Sequence, residues 1–297
     1  MEESKNSFKF LMLASLLTIV LYFIPYANLV LYPFELFVTY VHETSHALAA
    51  LLTLGSVGGM RIHPDTSGET FTAGGIRVIV STAGYVGSTL FGALLLMLCQ
   101  RGEMAKKILA ATALGILAVT LIFMGFGYVP LLLSVLLSVI AGIWFWKPAL
   151  AQKARFALGG SALVTILALF ACLGATNSLF GWVVGLTIGA ALFLSAKYLS
   201  PSAAHFLLSF LAVQCCLNAL FDLSTLILLS LSSPVASDAR NMEMSTGIPA
   251  IFWAVTWGAM SVTILMTALW KYRRNLSLQP KLAVAVSPKM VYKPALR

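Results

Sequence analysis

Apolar residues run along this chain in blocks of about twenty, the length a helix needs to cross a hydrocarbon core of about 30 Å. Short polar or glycine-rich connections separate them. Read with that ruler, the blocks fall at 9–31, 34–55, 77–100, 106–125, 128–146, 156–174, 178–196, 203–231 and 248–270. The pattern predicts an all-α polytopic membrane protein, a bundle of about nine transmembrane helices. Pro25 is expected to kink the first span, and 203–231 is long enough to tilt or break. The first run is too long for a signal-peptide core and is kept as a helix. Gly181, Gly185 and Gly189 recur every fourth residue, a face suited to close helix packing. The whole of 1–275 reads as one membrane-embedded domain, followed by a basic, disordered tail over 276–297.

One connection differs from the rest. Residues 56–76 carry short β-prone pieces, Met60 to His63 and Glu69 to Thr72, around a Pro64-Asp-Thr-Ser-Gly68 turn. A small β-hairpin is predicted there, directly after the second helix.

Composition agrees with this pattern. Hydrophobic residues make up 60% and charged residues 10% of the chain, against roughly 25% charged in a soluble domain. A water-soluble globule and a disordered chain are both excluded. Lys and Arg number 19 against 10 Asp and Glu. Most of that excess lies between apolar runs or in the tail. It therefore reads as topology signal and contact with anionic lipid headgroups, not with nucleic acid. The count over the nine-span layout leaves the N-terminus outside. All four cysteines, Cys99, Cys172, Cys215 and Cys216, lie in apolar runs and read as small buried hydrophobes.

Charge inside a span costs about 2.5–3.5 kcal/mol on insertion scales, so intramembrane acids need a reason. The predicted spans hold only Glu35, Glu43 and Asp222, with no Lys or Arg deep enough to pair with them. Glu43 lies within His42-Glu-Thr-Ser-His46, an H-E-x-x-H pattern. On a helix, residues i and i+4 are about 40° apart in azimuth and about 6 Å apart along the axis. Both imidazoles therefore share a face and are placed to bind one Zn²⁺. Glu43, beside the first ligand, is placed to take a proton from a water that the metal activates. Catalytic zinc usually has a third protein ligand, and Asp222 is the expected one. Its carboxylate, with Glu43, brings the cluster to neutrality. Asn218, one turn before Asp222, faces either a developing oxyanion or a helix–helix hydrogen bond. His63 reads as a loop residue and His205 as interfacial. Asp238 and Glu243 read as ordinary acids of a polar connection, and Glu35 as an acid suited to a helix start.

These residues resemble the site-2 protease family of intramembrane zinc metalloproteases, in a compact bacterial many-spanning branch. The resemblance rests on the His42-Glu-Thr-Ser-His46-Ala-Leu helix, then Pro64-Asp65-x-x-Gly68-x-Thr70. It continues through Ser81-x-Ala83-Gly84-Tyr85-x-Gly87 and Asn218-x-x-x-Asp222-Leu223 to Ser237-Asp238-Ala239 before Thr246-Gly247-Ile248-Pro249. It implies that His42, His46 and Asp222 hold zinc and that Glu43 activates water. It also implies that the hairpin offers a strand edge to an unwound substrate, whose backbone groups need partners in the membrane. Phe221-Asp222-Leu223 stands where better-known members have Leu-Asp-Gly. Gly84-Tyr-Val-Gly-Ser88 replaces their Gly-Pro-x-x-Asn, and no PDZ-like insertion is present.

The function implied is that of an intramembrane zinc endopeptidase in the cell membrane, acting on a membrane-protein or membrane-peptide substrate. A transporter or metal carrier using the same ligands is one alternative. A catalytically silent scaffold is the other.

Overall fold

A computed structural model describes residues 2–98, 102–124, 178–232 and 237–286. Among them the chain is mostly helical. In order it forms α1 (Glu2–Phe23), α2 (Asn28–Leu52), β1 (Ser56–Ile62), β2 (Gly68–Ala73), α3 (Arg77–Leu98) and α4 (Gly102–Phe123). Then come α5 (Ser178–Tyr198), α6 (Pro201–Ser232), α7 (Asp238–Thr246) and α8 (Ala250–Val286).

Five helices are long and apolar enough to cross a membrane: Arg77–Leu98, Met104–Phe123, Phe180–Tyr198, Pro201–Leu223 and Ala250–Arg274. A sixth crossing arises if Phe8–Phe23 and Asn28–Leu52, bent by 120° at the break between them, act as one broken span. The protein is thus a multi-pass membrane protein. The predicted spans 128–146 and 156–174 lie outside the described residues. The first two predicted spans part at a different place from the one expected. The break falls at Ile24–Ala27, and Pro33 is carried inside α2. Pro25 follows Ile24, Ala27 N–H donates to the Ile24 carbonyl at 3.2 Å, and Tyr26 takes a positive φ of 64°. Proline at i+1 and positive φ at i+2 mark a type II turn, so Pro25 reverses the chain instead of kinking a helix. α8 continues to Val286, into the stretch expected to be a disordered tail; residues 287–297 lie outside the described residues.

α6 is one unbroken helix, and α1 runs parallel to it. Phe10 meets Phe206, Gln214 Nε2 donates to Thr18 Oγ1 at 3.1 Å, and Tyr22 hydroxyl donates to Asn218 Oδ1 at 2.9 Å. Both hydrogen-bonded pairs are separated by 196 in sequence. A constant offset means the two helices advance together. Each rung satisfies polar groups that hydrocarbon would leave without partners.

Small residues set the remaining spacings. The every-fourth-residue glycines of α5 pack as the sequence predicts: Gly181 against Met124, Gly185 against Tyr40 and Thr120, and Gly189 against Leu117. Tyr40 hydroxyl and Thr120 Oγ1 are 2.6 Å apart there, and Trp182 Nε1 donates to the Met124 carbonyl at 2.9 Å. Gly92 lets α3 lie on Ala212 and Cys216 of α6. Cys215 and Cys216 are buried free thiols, in keeping with their reading as hydrophobes.

The hairpin forms where predicted. β1 and β2 pair antiparallel, Ile62 opposite Gly68 and Met60 opposite Thr70. At the turn, Thr66 N–H donates to the His63 carbonyl and Asp65 Oδ1 accepts from Ser67 N–H and Oγ. These bonds hold the Asp65 carboxyl below its usual range. Strand alternation sends Met60 and Ile62 into the core, while Arg61 stacks over Phe71 on the outer face.

Gly185→Ala places a methyl on the Tyr40–Thr120 pair and is expected to cost about 1–3 kcal/mol. Gly115→Ala, where a Cβ meets nothing within 4 Å, is the control. Thermal unfolding in detergent compares the two.

Candidate metal centre

α2 carries His42, Glu43 and His46 in its buried C-terminal half. The helix repeat brings the two imidazoles together, with His42 Nε2 and His46 Nε2 3.1 Å apart. α3 orients the second ring. His46 Nδ1 lies 2.6 Å from the Val80 carbonyl. A carbonyl only accepts, so Nδ1 carries the proton, and Nε2 of the neutral ring is left with a bare lone pair. One turn further along α3, Gly84 lies directly under both rings. A Cβ there would collide with His42 and would stand 2.5 Å from His46 Nε2. Gly87 makes the same close approach to Ser45.

The third donor comes from α7. Asp238 Oδ2 is 3.3 Å from His42 Nε2 and 3.2 Å from His46 Nε2. Several contacts hold that carboxylate in place. Ser237 caps α7 by accepting from Arg240 N–H, and Gly247 ends it in a left-handed conformation. Ala239 and Met242 are fully buried beside Tyr85, Leu223, Ala250, Ala254 and Trp257. Tyr85 stacks on Trp257 and meets His42 with the two rings nearly perpendicular. Trp257 Nε1 donates to Thr82 Oγ1 at 2.9 Å. Arg240 pairs with Glu243 at 2.7 Å, and Glu243 accepts from Ala250 N–H, which ties the end of α7 to α8. Burial works against a charge on Asp238, but the two imidazoles outweigh it and hold its carboxyl well below the usual carboxylate range.

Three donors thus form a nearly equilateral triangle. Ligands at about 2.0–2.1 Å from a tetrahedral zinc lie about 3.3 Å apart. Sides of 3.1, 3.2 and 3.3 Å match that spacing, so His42, His46 and Asp238 fit a divalent metal. Two histidines and one carboxylate also make a common catalytic ligand set, with room for a fourth ligand. Among the described residues this is the group whose donor atoms converge within 4.8 Å. Glu43 is buried beside it, but its carboxylate is turned to the hairpin, where Thr70 Oγ1 donates to Oε2 at 2.6 Å.

Comparison with protein families matches this sequence to the family described as Peptidase M50B-like, over residues 12–163 and 149–268. The chain belongs to that family. Its members are site-2-protease-like intramembrane metalloproteases. The two matched stretches include the histidine helix and the segment that carries Asp238. No curated protein and no solved structure matches the chain.

In this M50B-like protein the structure brings together His42, His46 and Glu43 as the sequence suggests. It does not bring in Asp222 as expected. Asp222 lies one turn beyond Asn218 on α6, is exposed, and is outside the converging donor group. Asn218 is buried, and its side-chain oxygen is bonded to Tyr22, so of its two readings the helix–helix hydrogen bond is the one present. His63 sits in the hairpin turn, 3.9 Å from Glu69. His205 is buried in α6 against Phe10. Asp238 is the residue that sequence reasoning passed over. Its signal was Ser237-Asp238-Ala239, an N-cap followed by an acid at a helix start. The same segment was part of the family resemblance, and that was the signal that could have found it.

The expected metal content is near one divalent ion per chain in wild type and in Asp222→Ala, and far less in Asp238→Ala. Elemental mass spectrometry of detergent-purified protein measures it. Gly84→Ala, which drives a methyl into both imidazoles, is expected to lower the content as well.

Proposed function

We propose that this protein is an intramembrane zinc endopeptidase that hydrolyses peptide bonds of membrane-embedded substrates in the cell membrane. The observation that carries this reading is the triangle of His42, His46 and Asp238, with a buried carboxylate one residue after the first donor that is not itself a donor. A zinc held by these three residues would supply Lewis acidity, polarising a substrate carbonyl and lowering the pKa of water.

The other parts of the chemistry fall to the chain's own residues. Glu43 accepts the proton from the attacking water and returns it to the leaving amine. His46 presents Nε2 because Nδ1 is committed to Val80. Tyr85, Trp257 and the close contact at Gly84 wall the cluster with apolar surface, which strengthens electrostatic interactions within it. A transmembrane substrate must leave its helix before its carbonyl can be attacked. Among the described residues β2 has no strand partner but β1, so its other edge is where an extended segment can add as a strand. A metal carrier has no use for a base held out of the ligand set, and the Glu43–Thr70 contact weighs against that alternative.

The test is cleavage of single-span peptides in vesicles, wild type beside Glu43→Gln. Losing the base is expected to lower turnover by about 10²–10⁴-fold while the bound metal is retained. Equal cleavage by the two proteins would overturn the reading.

A further inference from the structure

The Glu43 carboxylate owes its orientation to the hairpin. Thr70 Oγ1 lies 2.6 Å from Glu43 Oε2 and 3.0 Å from the Glu43 carbonyl oxygen. A hydroxyl has one proton to give, and the carboxylate is the stronger acceptor. Gly68 is two residues earlier on the same face of β2. A Cβ at Gly68 would stand 2.6 Å from Glu43 Cγ, 2.7 Å from Oε1 and 2.9 Å from Cδ. One position of the strand therefore binds the carboxylate, and the other makes room for it.

The hairpin is itself held to α2 along the same line. Tyr32 hydroxyl donates to the Pro64 carbonyl at 2.7 Å, and Thr39 Oγ1 donates to the Thr66 carbonyl at 2.6 Å. Tyr32, Thr39 and Glu43 are seven and then four residues apart, so they follow one face of the helix. Two side-chain contacts along α2, from Tyr32 and Thr39, thus help set where Thr70 stands.

We propose that Thr70 is a positioning residue for Glu43, with Gly68 shaping the space, so that the hairpin orients the general base as well as offering a strand edge to substrate. This rests on the peptidase reading above. The Gly68-x-Thr70 spacing follows from strand alternation: only residues two apart reach the same carboxylate from one side. A substrate strand that shifts the hairpin would also shift the base, which couples substrate pairing to catalysis.

The test compares Thr70→Val, which removes the hydroxyl at similar volume, with Thr70→Ser, which keeps it. Thr70→Val is expected to lower kcat by about 10–100-fold, the usual cost of losing an outer-shell partner. KM and metal content should stay near wild type, and Thr70→Ser should recover most of kcat. Wild-type kcat in Thr70→Val, or equal losses in the Val and Ser variants, would overturn the proposal. Thermal unfolding gives a readout independent of cleavage. Thr70→Val should lower Tm more in the wild-type background than in Glu43→Ala, and equal losses would overturn the contact. A wild-type protein that cleaves nothing while this coupling holds would sink the peptidase reading and leave the cradle standing.

Discussion

Two imidazoles and a carboxylate have to meet at one point inside an apolar bundle, and each needs all its polar atoms satisfied there. His42 and His46 meet by helix geometry alone. His46 is then turned by the Val80 carbonyl, which accepts a hydrogen bond from its Nδ1–H and leaves Nε2 facing His42 and Asp238. That arrangement is possible only if α3 comes within ring contact of α2. Gly84 permits it, because any side chain at that position would occupy the space of the imidazoles. The candidate metal centre thus depends on a close helix crossing as much as on its three donors.

The same economy recurs through the bundle. Hydrocarbon supplies no hydrophobic drive between helices, so association falls to close packing and to hydrogen bonds across the interface. Gly92, Gly185 and Gly189 allow the close packing. Thr18 with Gln214, Tyr22 with Asn218, and Tyr40 with Thr120 supply the hydrogen bonds. Two of these join α1 to α6 at a fixed offset, which makes the N-terminal helix a parallel partner of the helix that carries Asp222. Other hydroxyls, such as those of Ser88 and Thr89, instead bond the carbonyl four residues back in their own helix.

The hairpin links the two themes. Its inner face carries Met60 and Ile62 into the core and Gly68 and Thr70 onto Glu43. Its outer face carries Arg61 over Phe71. A hairpin anchored on one face, with no third strand among the described residues, fits the proposed addition of an extended segment to β2. The short helix α7 plays the matching part for Asp238, since the buried contacts of Ala239 and Met242 decide where its first carboxylate points.

Much of this was legible in the chain. Apolar blocks one bilayer long revealed the helices, and His42-Glu43-x-x-His46 revealed a metal-binding face, because both signals are local and follow from helix geometry. The hairpin was legible for the same reason, from its turn residues and alternation. The break at Pro25 was not, because Pro25 and Pro33 offer the same local excuse to stop a helix. Pro25 became the turn through Tyr26, which adopts a positive φ. The third ligand was the main thing sequence could not decide. Asp222 looked functional because it stood in an apolar span, and Asp238 looked ordinary because it stood in a polar connection. Which carboxylate reaches the histidines depends on how α7 docks with Trp257 against Tyr85, a residue more than a hundred positions earlier in the chain. Local pattern can say that an acid is costly or that a helix begins. Only the packed bundle sets the distance of about 3.3 Å that a shared metal requires.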